Sequence, residues 1–119
     1  TLTDVEKACS LIAQAEGCTI DLRQSNSEAD LIDWIHEARM DGSGIVINPA
    51  AYSHTSVAIM DALIAFEGPV IEVHVSNIHR REDFRHKSYV SLRADGVIAG
   101  LGVKGYEFGV IRILEILRS

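Results

Sequence analysis

Val70-Ile71-Glu72-Val73-His74-Val75-Ser76-Asn77-Ile78-His79-Arg80-Arg81-Glu82-Asp83-Phe84-Arg85 carries a strand-like alternation straight into a polar, cationic turn. In a period-two reading Ile71, Val73 and Val75 point to one side while Val70, Glu72 and His74 point to the other. The second face therefore changes from apolar to ionisable as the strand ends. Glu72 and His74 share that face, about 6.5 to 7 Å apart. Taken alone, Glu72 reads as a residue on the solvated face of an edge strand. The whole segment reads differently, because Ser76 and Asn77 follow at once, then His79, Arg80, Arg81, Arg85, His86 and Lys87. Hydroxyl, amide, imidazole and guanidinium groups thus gather just past a strand's carboxyl end, where open α/β sheets bind ligands.

Upstream, Gly68-Pro69 stops a helix before this strand, and Ser53, Thr55 or Ser56 is placed to cap it. Its apolar positions include Ala58, Met60, Ala62, Leu63 and Phe66. Before it, Ile45-Val46-Ile47 is a short unbroken apolar run ending at Asn48-Pro49, the pattern of a strand covered on both faces and so of a parallel sheet. Asn48 ends one strand and His74 ends the next. As parallel neighbours, the two strands bring both side chains and His54 to one rim of the sheet.

The chain opens with a Thr3-x-x-Glu6 capping box and a helix whose apolar positions Val5, Ala8, Cys9, Ile12 and Ala15 keep helical spacing, with Gly17 as its terminator. Cys18, Ile20 and Leu22 alternate with Thr19, Asp21 and Arg23, which predicts a half-buried strand. After the polar Gln24-Ser25-Asn26, Ser27 caps a second helix running to about Met40, buried through Leu31, Ile32, Trp34 and Ile35, with His36 at the surface and Asp41-Gly42 at its end. Beyond the basic turn, residues 88–95 read as irregular or extended and Val97-Ile98-Ala99 as the final strand. A last helix buries Tyr106, Val110, Ile113, Leu114 and Leu117. The order αβαβαβ, a polar turn, then βα predicts an α/β fold: a parallel sheet with helices on both faces. A flavodoxin-like doubly wound sheet, order 2-1-3-4-5, has its first strand in the middle, and no such strand stands at the front of this order.

A chain of 119 residues reads as one domain, and one of this size buries roughly two-thirds of the surface its unfolded form exposes. The net charge of −6 argues against nucleic acid as a partner, since phosphate binding needs a positive footprint. No apolar run reaches the ~18 residues of a membrane span, so no membrane partner is expected. The local cluster from Arg80 to Lys87 suits a small anion, and equally suits a solvated turn balanced by Glu82 and Asp83. Cys9 and Cys18 form neither a disulfide framework nor a zinc motif and read as small buried hydrophobes in a reducing compartment. With no signal peptide in the sequence, a cytoplasmic location is expected.

Gly100-Leu101-Gly102-Val103-Lys104-Gly105 is a literal G-x-G-x-x-G between a strand and a helix. A dinucleotide site needs a further strand bearing an acid about 20 residues on, whereas the sequence ends at Ser119, so tight turning and close helix-to-sheet contact explain these glycines better. The histidines at 36, 54, 74, 79 and 86 have no metal-ligand spacing, and H-E-x-x-H is absent. No G-x-S-x-G elbow exists, and Ser76 lacks the glycines of a nucleophile turn. Acid-base chemistry on a small anion remains, and histidine is the side chain most easily poised for it near neutral pH.

These residues resemble the type II dehydroquinases. Ile47-Asn48-Pro49-Ala50-Ala51-Tyr52-Ser53-His54-Thr55-Ser56-Val57-Ala58 is similar to that family's I-N-P-G-A-Y-T-H-T-S-V-A, with Asp61 where its helix carries an aspartate. Glu72 to His79 resembles E-V-H-x-S-N-[IV]-H, and Arg81 to Arg85 resembles R-E-[ED]-F-R. Gln24-Ser25-Asn26, Leu31 to His36, Gly100 to Gly102 and Gly105-Tyr106 also agree. The resemblance implies dehydration of 3-dehydroquinate to 3-dehydroshikimate, in the shikimate pathway, through an enolate and without metal or organic cofactor. It casts His74 as the general acid that protonates the departing hydroxyl, with Glu72 supporting it. Asn48 would hold the substrate near its carboxylate and C1 hydroxyl, the amides of Val75 and Ser76 with the Ser76 hydroxyl would bind the carboxylate, and His54 and Arg85 would hold ring oxygens. Arg81 would bind or support. Asp61 would reach a neighbouring subunit's site in a dodecamer of trimers.

Ala50, Ser53 and Met60 stand where the family usually has glycine, threonine and often arginine. The family's N-terminal strand and lid, of the N-G-P-N-L-N-x-L-G-x-R-x-P-x-x-Y-G type, have no counterpart in residues 1–119. That lid supplies an arginine and the tyrosine base, and none of Tyr52, Tyr89 or Tyr106 lies in a matching motif. The acid half of the mechanism is therefore legible and the base half is not. A segment carrying the strand and lid is expected to accompany these residues, since without it neighbouring strands keep unpaired backbone groups. The contrasting expectation is a non-enzymatic module that merely holds a small anion.

Overall fold

Ile45–Ile47 (β1), Val70–His74 (β2) and Gly96–Ala99 (β3) form a parallel sheet in the order β1-β2-β3 in a computed structural model that describes residues 1–119. The register sets Ile47 opposite Glu72 and His74 opposite Ala99, so β1 stops at the level of Glu72 while β2 and β3 run on together. β2 is the central strand and is buried at every position. That overturns the solvated-edge reading of Glu72, which is wholly buried. An alternating pattern looks the same from sequence whether its polar face meets water or a set of donors from elsewhere in the fold.

Four helices surround the sheet: α1 (Leu2–Gln14), α2 (Glu28–Asp41), α3 (Val57–Ala65) and α4 (Lys104–Arg118). On one face, Ile35 of α2 and Ile59, Ala62 and Leu63 of α3 meet Ile47 and Val70 in the larger core. On the other, Ile113 of α4 meets Ile71 and Val73, and α1 lies outside α4. The alternation of β2 is what divides these two cores. Gly109 allows the close approach of α4, since a Cβ there would lie 2.9 Å from Val46 Cγ1. Fully burying a side chain such as Leu63 contributes about 1.5 to 3 kcal/mol. The parallel sheet covered on both faces is the α/β arrangement expected.

The third helix is capped by Ser56, whose Oγ accepts from the Ile59 amide at 2.9 Å. Ser27 caps α2, and Gly17, at φ 73°, follows the end of α1. Four details differ from expectation. The first capping box is Thr1 with Asp4, because the helix begins at Leu2, two residues before the Thr3 box would start it. Residues 18–23 form no strand. In the order 2-1-3-4-5 that strand has strand 1 as its neighbour, and none lies beside it in residues 1–119, so its backbone finds no ladder. Cys18 is accordingly half-buried rather than in a core, while Cys9 on α1 is buried. Leu117 is 43% exposed, the last turn of α4 having run past the sheet. No helix is long and apolar enough to cross a membrane.

Candidate active site

The carboxyl rim of the sheet is built by the ends of β1 and β2 and by short 3-10 turns at 50–54, 78–80 and 83–85, while a further turn at 90–92 packs against α3 and leads into β3. Glu72 and His74 face the rim from the same side of β2, and the His74 Nε2–H donates to Glu72 Oε2. The Ser88 hydroxyl donates to the same oxygen at 2.7 Å, and the Ser91 hydroxyl donates to Oε1 at 2.6 Å. Burial pushes the Glu72 carboxyl up, but the hydrogen bonds from His74, Ser91 and Ser88 outweigh it and hold the group below its ordinary value. Glu72 is therefore an anion at neutral pH, fixed on three donors. Its grip on Nε2 sets the ring orientation of His74 and leaves Nδ1 uncommitted. Nδ1 takes no partner within the chain, and no fully buried side-chain nitrogen or oxygen is left unpaired, so that atom keeps some exposure although His74 as a whole is buried.

Sequence reasoning did not find Ser88 or Ser91. Both lie in the stretch read as irregular, which contains the 3-10 turn Val90–Leu92. The signal available was chemical: a glutamate on a central strand must have donors, and hydroxyls downstream of the strand are the nearest supply.

Beyond His74 the strand ends, and Val75, Ser76 and Asn77 are exposed. The Val75 and Ser76 amides donate to no acceptor within the chain, whereas the carbonyls of His74 and Val75 accept from Gly100 at 3.1 Å and Gly102 at 3.0 Å. Two adjacent unpaired N–H groups at the bend that ends a strand are suited to accept an anion. Gly100 and Gly102 adopt φ 83° and 62°, so the glycine run is a left-handed turn pinned to the end of β2.

Asn48, just past β1, is fixed on both sides of its carboxamide. Oδ1 accepts from the Ala50 amide at 3.0 Å, and Nδ2 donates to Tyr106 Oη at 2.8 Å. His54 Nδ1 lies 2.8 Å from the Lys87 carbonyl, and since a carbonyl only accepts, Nδ1 carries the hydrogen and Nε2 remains available. The His54 ring meets Phe84 edge-on at 6.5 Å, and the Arg85 guanidinium lies 5.0 Å from the Phe84 ring centroid. Phe84 thus joins His54 and Arg85 on one side of the rim. Arg85 Nε donates to Glu82 at 2.7 Å, which orients the guanidinium while leaving its terminal nitrogens without partners within the chain. Glu82 is held below its ordinary value by its own backbone amide and then by Arg85.

The side chains of Arg81 and Asp61 make no hydrogen bond or ion pair within the chain. Arg81 is exposed, and its carbonyl accepts from His86 Nε2 at 2.9 Å. Asp61 is exposed within α3, about 6 Å along the axis from the rim end of that helix. The five histidines do not gather with acids or cysteines into a group of three metal-binding side chains.

Ala50 adopts φ 51°, a left-handed conformation that costs a residue with a Cβ about 1 kcal/mol or more. Ala50→Gly should therefore raise stability by about 0.5 to 1 kcal/mol, the relief exceeding the extra freedom glycine gains on unfolding. Urea unfolding at neutral pH checks this. An unchanged or lowered midpoint would show that the turn holds Ala50 without strain.

A family model for dehydroquinase class II matches residues 1–114. A 3-dehydroquinate dehydratase of Streptomyces avermitilis is 68% identical over 120 aligned residues, covering 100% of this chain and 76% of that protein. One from Cereibacter sphaeroides is 64% identical over 116 residues, covering 98% and 79%. Among solved structures, the type II dehydroquinase from Propionibacterium acnes superposes with a TM-score of 0.89 at 44% identity, covering 97% of this chain and 79% of that one. With a match of this extent added to the paired Glu72 and His74 and the open amides beyond them, the chain belongs to the class II dehydroquinase family.

Proposed function

We propose that this chain dehydrates 3-dehydroquinate to 3-dehydroshikimate, as a hydro-lyase of the shikimate pathway that serves aromatic amino acid biosynthesis. The observation that carries the mechanism is the clamp of Glu72 on His74 Nε2 beside two unpaired amides. The substrate carboxylate would sit on the Val75 and Ser76 amides and the Ser76 hydroxyl, with Asn48 contacting the carboxylate and the C1 hydroxyl. Arg85 and His54 would hold the ring oxygens, His54 through its open Nε2. Arg81 adds positive charge at the exposed edge.

Removal of the proton beside the ketone gives an enolate. As its electrons re-form the ketone and make the new carbon–carbon double bond, the bond to the C1 oxygen breaks. Protonated His74 delivers the Nδ1 proton to that oxygen, which leaves as water. The ring is then neutral with its hydrogen on Nε2, the tautomer that Glu72 already holds. Acid catalysis of this kind contributes about 10² to 10⁴ in rate. The proton acceptor for the first step is assigned to the tyrosine of the lid motif that the resemblance describes.

One domain working in the cytoplasm completes the proposal, and the two unpaired cysteines suit a reducing compartment. So does assembly through trimers to a dodecamer. Val57, Asp61 and Ile64 share one face of α3 and are all exposed, which suits a surface where Asp61 crosses to a neighbouring subunit's site. The test is turnover of 3-dehydroquinate by the intact protein carrying these residues, followed through the ultraviolet absorbance of the conjugated product. Equal rates before and after chelation are expected. Absence of turnover would overturn the reading, and a chelator-sensitive rate would overturn its metal-free mechanism.

A further inference from the structure

The turn from Gly100 to Gly105 takes no part in the acid step, yet it is tied to the strand that carries the acid. Its amides bond to the His74 and Val75 carbonyls, and a Cβ on Gly100 would lie 3.1 Å from Asn77 Cβ. Gly105 then closes on the sheet, where an added Cβ would meet Val73 and Ile98 at 3.2 and 3.3 Å. The first turn of α4 is thereby fixed relative to β2, and that turn presents Tyr106. The Tyr106 ring lies against the Ile71, Val73 and Ile113 core, and its oxygen accepts from Asn48 Nδ2 at the end of β1.

A carboxamide looks nearly symmetric in shape but not in chemistry. If Asn48 turned over, its NH₂ group would face the Ala50 N–H and a donor would meet a donor. With Oδ1 on Ala50 and one Nδ2 hydrogen on Tyr106, only one orientation satisfies both neighbours. The second Nδ2 hydrogen is the donor left for a ligand at the rim. We infer that Tyr106 is a positioning residue for substrate binding, its phenol oxygen holding the Asn48 carboxamide in the orientation that offers that hydrogen to the substrate. The kinetic part of this inference rests on the dehydratase reading, and the geometric part does not.

Tyr106→Phe keeps the ring in the core and removes the acceptor. The expected result is a KM for 3-dehydroquinate raised about fivefold, the scale of one neutral hydrogen bond, with kcat within about twofold. In an Asn48→Ala background the same substitution should have no further effect, because its only route to the substrate is gone. Equal effects in both backgrounds, or none in the wild-type background, would overturn the inference. If the unsubstituted protein fails to turn over substrate, the dehydratase reading falls and Tyr106 is judged by nuclear magnetic resonance of the Asn48 side-chain amide. Loss in Y106F of the distinct shift of one Nδ2 proton supports the positioning role. An unchanged pair of amide signals overturns it.

Discussion

Replacing His74 with alanine should lower kcat for 3-dehydroquinate by about 10³, within the range expected for loss of a general acid, while KM changes by less than about threefold. The split follows from the site's division of labour. The carboxylate contacts assigned to Val75 and Ser76 are backbone groups that survive the substitution, and Asn48, His54 and Arg85 are held by partners other than His74. What disappears is the group that protonates the leaving oxygen. Steady-state kinetics measure both constants, and circular dichroism checks the fold. The variant also strips one donor from the buried Glu72, so stability should fall by about 1 to 3 kcal/mol, with Ser88 and Ser91 still holding the carboxylate. A kcat within tenfold of the unsubstituted protein would remove His74 from the acid role.

The parts of this fold legible in the sequence are those that depend on local pattern. The unbroken Ile45-Val46-Ile47 run announces a strand covered on both faces, and the sheet has it so. Ser27 and Ser56 cap their helices because a hydroxyl just before an apolar helical face serves the unpaired amides of the first turn. What stayed hidden depends on partners distant in sequence. The Cys18 to Leu22 alternation is a proper strand pattern, but a strand exists only when another backbone lies beside it. The Glu72 side chain illustrates the same limit from within the site: its neighbours Ser88 and Ser91 lie 16 and 19 positions downstream, and nothing in their spacing marks them. Likewise Tyr106 fits a buried helical stripe from sequence, and only the arrangement of α4 against β1 reveals that its oxygen meets Asn48, 58 positions earlier.

Glu72→Ala should cost about 3 to 5 kcal/mol of stability at neutral pH, the scale of breaking a buried charged pair, and should also remove most activity. The stability loss has two sources. His74, Ser88 and Ser91 lose a common acceptor, and a cavity opens beside a fully buried strand position. Glu72→Gln separates charge from volume. The amide keeps the size but has one oxygen where three donors need two, so stability should fall by less, about 1 to 2 kcal/mol, while the His74 ring loses its fixed tautomer and kcat drops about tenfold or more. The two proteins should also differ in acid. The ordinary glutamate value is 4.5 and the folded protein holds Glu72 below it, so the native state binds fewer protons than the unfolded state in the interval between them. The stabilisation from this anion is complete above about pH 4.5 and is lost as pH falls through the lowered folded value. Urea unfolding at a series of pH values from 7 downward should therefore show the unsubstituted protein weakening more steeply in acid than E72Q. Parallel curves would mean that the buried carboxylate is not the anion on which the His74 geometry depends, and the proton delivery from Nδ1 would then need a different support.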